Sequence, residues 1–271
     1  MIGVIKGIAV YFWSVWGALV GLFLFVTLWE TGHAVYGDFI LPAPADAFAR
    51  LVGFIRDGSA ISAASDTAIR AIGGFAVSGL IGSLVGVMAG LSMTAARAVR
   101  PVVTVLLGIP PIAWIVLALL WFGPTGMTPM FTVIVTSIPI TFAGAVEGTR
   151  TLDRELEDMA RIFRASRLRI FVDVHLPHIL SYLFPAWITA LGMAWKVAVM
   201  AELLATSDGI GARMATARVN LDTAATMAWI VAVVGLLLAV EYLVLEPLKR
   251  RTETWRRRPA GQGASAQMRR M

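Results

Sequence analysis

Three ionisable side chains lie inside otherwise apolar segments of the chain: Lys196, Glu202 and Glu241. A charge within a membrane span is costly, so it usually faces a cavity, a partner or a transport pathway. Lys196 has no obvious counter-ion, because Glu202 falls on another face of its helix and Glu241 lies at a different depth. We therefore take Lys196, its neighbour Trp195 and Glu202 as candidates for a pathway that favours an anion. A lysine that snorkels outward or bonds to kinked backbone remains the alternative.

Residue sets for other chemistries are absent from the sequence. There is no cysteine, and the three histidines are too scattered for a metal site. No Gly-x-x-x-x-Gly-Lys-Ser/Thr phosphate loop occurs. No Ser/His/Asp set or pair of catalytic carboxylates can be placed at one depth. We therefore expect no metal, no cofactor and no catalytic site on this chain.

The composition indicates a protein that lies in a bilayer. Of 271 residues, 58% are hydrophobic and only 15% are charged, and the mean hydropathy is +0.78. A soluble domain has about 45–50% apolar and about 25% charged residues. A span needs about 20 apolar residues. Segments of that kind predict six transmembrane helices, at 8–28, 71–96, 101–122, 129–146, 179–204 and 223–245.

The placement of Lys and Arg predicts that both chain termini lie in the cytoplasm. With six spans, 17 basic residues fall on the inner side and five on the outer side, where we place Arg70. The basic charge is then a topology signal, which argues against nucleic-acid binding. The predicted domains are a cytoplasmic segment 1–7, a permease domain 8–247 and a basic tail 248–271 of disordered composition.

Two local patterns modify this simple bundle. Residues 45–56 place Phe48, Leu51, Val52 and Ile55 at helical spacing, which predicts an amphipathic helix on the outer surface. Prolines inside apolar segments predict bent spans, and bent spans often line a cavity. The adjacent Pro110 and Pro111 therefore join the candidate pathway residues, although a static kink absorbed by packing is equally compatible.

The longest inner loop, residues 149–178, has the pattern of a docking element. It predicts a helix at 153–163 and a second helix at 166–174, each with a charged back and a small apolar face. A solvated, positively charged loop would show the same charges. Within it stand Asp158-Met159-Ala160, three further residues, Arg164, nine further residues, Val174, one residue and Leu176-Pro177.

That spacing resembles the cytoplasmic signature of binding-protein-dependent ABC-importer permeases, which reads Glu-Ala-Ala, three residues, Gly, nine residues, a hydrophobe, one residue and Leu-Pro. Asp158, Met159 and Arg164 replace the motif Glu, Ala and Gly. Further segments look like the nitrate, sulfonate, taurine and bicarbonate branch: 41–51, 109–123, and Ala194-Trp195 through Gly209-Ile210-Gly211. The resemblance covers roughly residues 38–247.

The resemblance implies an all-α membrane protein with the six transmembrane helices of a type I ABC importer permease. It further implies a second copy of the chain, two ATPase subunits on the cytoplasmic face, and a periplasmic or lipid-anchored solute-binding protein. The residues it assigns to ATPase coupling are Asp158, Met159, Ala160, Arg161, Arg164, Ala165, Ser166, Leu176 and Pro177. The location is the bacterial inner membrane. A secondary transporter driven by an ion gradient, with Glu202 and Glu241 as ion sites, is the alternative.

Overall fold

The computed structural model describes residues 2–152, 158–159, 162–163 and 166–248, and within them it is helical without strands. Its helices are α1 (Ile2–Tyr36), α2 (Pro44–Arg56), α3 (Ser59–Gly90), α4 (Met93–Gly108), α5 (Pro111–Phe122), α6 (Met127–Arg150), α7 (Arg167–Ile170), α8 (Leu176–Ala205), α9 (Ile210–Val219) and α10 (Thr223–Ala239). Two π-helical turns, Phe171–His175 and Val240–Leu245, follow α7 and α10.

The core of the bundle is the packing of α3 against α6. Glycines of α3 lie directly against α6, so that a Cβ at Gly74 would come within 2.8 Å of Val133 and one at Gly90 within 3.0 Å of Thr149. Moving from Gly74 to Gly90 along α3, the facing residue on α6 moves from Val133 to Thr149, by the same number of positions and in the same direction. The two helices therefore run parallel. Small residues permit this approach, which gives close van der Waals contact within a membrane.

Because α3 and α6 are parallel, the chain between them must return across the bilayer. That segment contains α4 and α5, each too short to span, which meet at a bend of 92°. Together they therefore make one crossing. With the five helical segments that are long and apolar enough to cross a membrane, the described chain has the six predicted crossings.

The third span is broken more sharply than the sequence indicated. We expected one bent span beginning at Pro101, whereas Pro101 lies within α4 and the chain breaks at Ile109 and Pro110. Pro110 adopts ψ 142°, because a residue that precedes proline is excluded from helical geometry, and Pro111 begins α5 at a position where its missing N–H is tolerated.

The outer end of the bundle carries two short helices beside the spans. The predicted surface helix is confirmed as α2, which leaves Phe48, Val52 and Ile55 about half exposed and stacks Phe54 on Trp229 of α10 with 4.7 Å between ring centroids. The second, α9, lies in a segment predicted as a loop. Its ten residues are mixed in polarity and too short to show a clear period.

Candidate functional site

The inner loop exposes the predicted coupling residues that the structure describes. Asp158, Ser166 and Pro177 are exposed, Met159 is 51% exposed and Leu176 is 37% exposed. The others (Ala160, Arg161, Arg164 and Ala165) lie outside the described residues, as does most of the helix predicted at 153–163. The described members thus remain available to a partner.

Large apolar side chains surround these residues at the inner end. Ile162 and Phe163 are 79% and 80% exposed, and Leu168 is 73% exposed. Soluble surfaces rarely gather such side chains without a binding role. Since Ile162 and Phe163 lie outside the candidate membrane spans, the bilayer core does not account for their exposure.

The second loop helix runs directly into the fifth span, which corrects the boundary predicted from the sequence. We expected a helix ending at Val174 and a span beginning near Ile179. Instead α7, the turn Phe171–His175 and α8 follow one another without a break, and Leu176-Pro177 forms the first turn of α8. The Leu176 N–H bonds to the Phe171 carbonyl oxygen and His175 is already helical, so Pro177 lies within a continuous helix directly after the π-helical turn. A displacement of the loop is therefore transmitted directly to α8.

Lys196 lies on an exposed stripe along α8. The stripe contains Pro185, Thr189, Lys196, Met200 and Leu204, spaced at helical intervals. Lys196 forms no ion pair with any residue that the structure describes. A charged side chain thus projects from a spanning helix, nine residues from its outer end, on a surface that the described residues leave uncovered.

Trp195 lies about 100° around α8 from Lys196 and points into the core. It is 5% exposed and packs in a cluster with Ala71, Val133 and Val197. Pro110 and Pro111 mark the break between α4 and α5, with Pro110 exposed. The structure therefore does not bring all the pathway candidates together on one surface. Of the neighbours Trp195 and Lys196, only Lys196 lies on the exposed stripe of α8.

Glu202 is fully buried near the outer end of α8, in what we call the outer ion-pair cluster: Thr67, Arg70, Glu202, Asp208 and Gly211. Its carboxylate accepts hydrogen bonds from Arg70 Nη1 and Thr67 Oγ1, both at 2.8 Å, and from the Gly211 backbone N–H at 3.3 Å. Arg70 also donates to the backbone oxygen of Asp208 at 2.8 Å and to its carboxylate at 2.7 Å. Every charge in the cluster is thus paired.

Sequence reasoning missed the role of Arg70, which was assigned to an outer loop. The structure places it within α3, 8% exposed, with room for its guanidinium because the facing residue is Gly126. Thr67, Arg70, Ala71 and Gly74 recur at helical spacing, and all four are buried. The helical spacing of these residues extends the apolar segment that begins at Ala71 towards the N-terminus. This spacing was the sequence signal that α3 begins before Ala71.

The outer surface holds an open groove of about 870 Å³ between α2 and residues 220–224. Asp38, Asp46, Asp57 and Asp222 line it, along with Arg50, which lies 3.5 Å from Asp222. Hydrogen bonds from the side chain and backbone of Ser59 lower the pKa of Asp57, so this carboxylate stays charged. The groove is therefore predominantly acidic.

Comparison with known protein families identifies the family to which this chain belongs. Residues 79–257 match the family model of the binding-protein-dependent transport system inner membrane component. The chain belongs to this family. Accordingly it is a multi-pass inner-membrane permease subunit and not an enzyme, and the resemblance seen in the sequence is confirmed.

Individual relatives of this permease bear names from one transport branch. The nitrate import permease protein NrtB of Leptolyngbya laminosa is 32% identical over 139 residues, covering 51% of this chain and 50% of that protein. The bicarbonate transport system permease protein CmpB of Synechococcus elongatus is 29% identical over 143 residues, covering 52% and 51%. The matches thus span about half the length of these two relatives.

A solved structure confirms the type I permease fold. A chain of the MetNI methionine ABC transporter, in an inward-facing conformation, matches with a TM-score of 0.57 and 18% identity. The match covers 70% of this permease and 92% of that chain. At this identity the likeness concerns the fold alone, which agrees with the six crossings deduced from the helix directions.

Proposed function

We propose that two copies of this permease form the pathway of an ATP-driven importer for a small anion such as nitrate, a sulfonate, taurine or bicarbonate. A periplasmic or lipid-anchored binding protein delivers the solute, and two separate ATPase subunits bind the inner loops. Both termini lie in the cytoplasm. Family membership supports the division into subunits, and the names of the relatives support an anionic solute.

The observation that carries the anion proposal is the position of Lys196. On insertion scales a lysine at the centre of a spanning helix costs about 2.5–3.5 kcal/mol, so a lipid-facing location is unfavourable. The described chain offers Lys196 no counter-ion, and its stripe is uncovered. A second copy related by a twofold axis would cover the stripe and bring two lysines to a shared pathway, where their field attracts anions.

The uptake of anions by lysine variants tests this role. Lys196→Met should reduce uptake of the transported anion at least about tenfold, because the pathway loses its positive field, while Lys196→Arg should retain most of the uptake. The assay is uptake of labelled nitrate, bicarbonate, taurine and a short alkanesulfonate by cells that express the complete importer. Parent-level uptake by Lys196→Met would show that the charge has no part in transport.

ATPase docking is supported by the exposed apolar residues of the inner loop. A charged substitution there would be desolvated against the ATPase without a partner, which is strongly unfavourable. Phe163→Glu should therefore prevent co-purification of the ATPase from membranes, although the permease still inserts. Val219→Glu is the matched control, since Val219 is 74% exposed at the outer end and should leave the complex intact.

The same preparation separates the importer from a carrier driven by an ion gradient. An importer requires that ATP hydrolysis by the co-purified partner depends on this permease, whereas a carrier transports without it. The contacts of Glu202 also weaken the carrier reading, because its carboxylate already binds Arg70, Thr67 and Gly211. If Phe163→Glu abolishes neither ATPase binding nor uptake, the docking proposal is wrong.

A further inference from the structure

One helix connects the inner loop with the outer surface. The helix α8 begins at Leu176, beside the exposed apolar residues of the loop, and ends at Ala205. Its thirty residues span about 45 Å at 1.5 Å per residue. Packed helices tend to move as rigid elements in conformational transitions. A displacement at the inner end of α8 is therefore expected at its outer end too.

Glu202 fastens the outer end of α8 to two other elements. Through Thr67 and Arg70 it binds α3, and through the Gly211 N–H it binds the first turn of α9. Arg70 extends the same connection to Asp208, in the turn between α8 and α9. The cluster thus joins α3 to α8 and to the turn and helix that directly follow α8, with 132 positions between Arg70 and Glu202.

The turn is shaped around the Glu202 carboxylate. Gly209 has φ +98°, a conformation that favours glycine, and a Cβ there would overlap the carboxylate. A Cβ on Gly211 would lie 2.7 Å from Glu202 Cβ. The two glycines therefore let the backbone of the turn close over the acid, and the path of the turn depends on what occupies position 202.

Breaking the outer ion-pair cluster would leave a buried charge unpaired, which is strongly unfavourable. We therefore expect the hydrogen bonds of the cluster to stay intact while α8 moves. We propose that Glu202 and Arg70 are positioning residues for transport: they fasten residues 206–219 to α8, so that an ATP-driven displacement of the inner end of α8 reaches the outer surface. This inference rests on the proposed function. The alternative is that α9 is held in place mainly by the apolar contacts of Ile210 and Ala217 with α3 and α10.

Two spin labels can separate movement of the inner end from movement of the outer end. The chain has no cysteine, so single cysteines can be introduced without removing others. Ser181→Cys reports on the inner third of α8 and Arg218→Cys on α9, and both positions are exposed. Each label is followed by electron paramagnetic resonance in the complex with its co-purified ATPase, before and after ATP is added with EDTA to prevent hydrolysis.

In the parent complex, ATP should change the signal of both labels. In Glu202→Gln the inner label should respond as before, whereas the response of the outer label should fall at least about threefold, as for residues coupled in one network. Arg70→Lys keeps the charge and should retain most of the outer response. Asp66→Asn is the matched control on α3, because Asp66 makes no polar contact with the described residues.

An undiminished outer response in Glu202→Gln would overturn the inference and assign the attachment of α9 to apolar packing. If Glu202→Gln does not accumulate, Asp208→Asn decides instead, because its side chain is 53% exposed and its loss does not bury an unpaired acid. It should lower the outer response about twofold, and a parent-level response would refute the proposal. If neither label responds in the parent, the ATP-driven function itself is wrong.

Discussion

One close contact between α3 and α6 predicts that a single added methyl group on Gly86 destabilises the permease. Gly86 of α3 faces α6, and a Cβ there would lie 2.6 Å from Ala145 Cβ and 2.7 Å from the Phe142 carbonyl oxygen. Carbon atoms pack best at about 3.5–4.0 Å, so Gly86→Ala brings the methyl group about 0.9 Å too close to Ala145. The obstacles are α6 backbone and a Cβ, neither of which can rotate away, so the helices must separate.

Separation weakens the contacts along the whole seam between α3 and α6. Overpacking of this kind typically costs about 1–3 kcal/mol. In a chain of this size each kcal/mol lowers Tm by about 2–4 °C, so we expect Gly86→Ala to unfold about 2–12 °C below the parent. Thermal unfolding in detergent, followed by size-exclusion chromatography of the remaining monodisperse protein, measures this difference.

Two further variants make the reasoning testable at that seam. Gly235→Ala is the matched control, since a Cβ on this glycine of α10 meets nothing within 4 Å, and we expect no loss of stability. Ala145→Gly removes one of the two obstacles and should partly restore the Gly86→Ala protein. Equal stability of Gly86→Ala and the parent, or no rescue by Ala145→Gly, would refute the packing argument.

Three other predictions concern the outer end and the topology. Gly209→Ala should lower Tm more than Gly53→Ala, because Gly209 has φ +98° and its Cβ would overlap Glu202, whereas Gly53 has open space, and thermal unfolding compares them. Phe54→Ala should raise hydrogen exchange across α2, because it removes the stacking on Trp229, and unchanged exchange would contradict that role. A reporter fused after Arg258 should be active only in the cytoplasm, and periplasmic activity would refute the six-span topology.

Much of the fold could be predicted because it depends on local apolar runs. The sixth span predicted at 223–245 corresponds to α10 and the turn that follows it, and the amphipathic period of 45–56 gave α2. Where a polar residue lies within a span, hydropathy alone fails. The start of α3 was missed by twelve residues, Ser59 to Arg70, because its buried polar residues Thr67 and Arg70 pair with the distant Glu202.

The contacts of the candidate site were less predictable, since they join residues remote in sequence. Lys196 and Glu202 were both recognised as unusual charges, but their surroundings differ completely. Glu202 meets Arg70, 132 positions away, whereas Lys196 projects from the uncovered stripe. Only the relative rotation of α8 and α3, which depends on packing, separates these outcomes.

The buried Glu202 and the exposed Lys196 indicate different roles for the two charges of α8. At Glu202 the chain supplies Arg70, Thr67 and a backbone N–H, which satisfies the carboxylate completely within one copy. At Lys196, six residues earlier on the same helix, it supplies no partner from the described residues. Since the fold supplies hydrogen-bonding partners for the Glu202 carboxylate, it could equally have supplied a carboxylate for Lys196. An unpaired lysine on an uncovered stripe is therefore best explained by a counter-charge from outside the chain, as a transported anion would be, with a second copy to exclude the lipid.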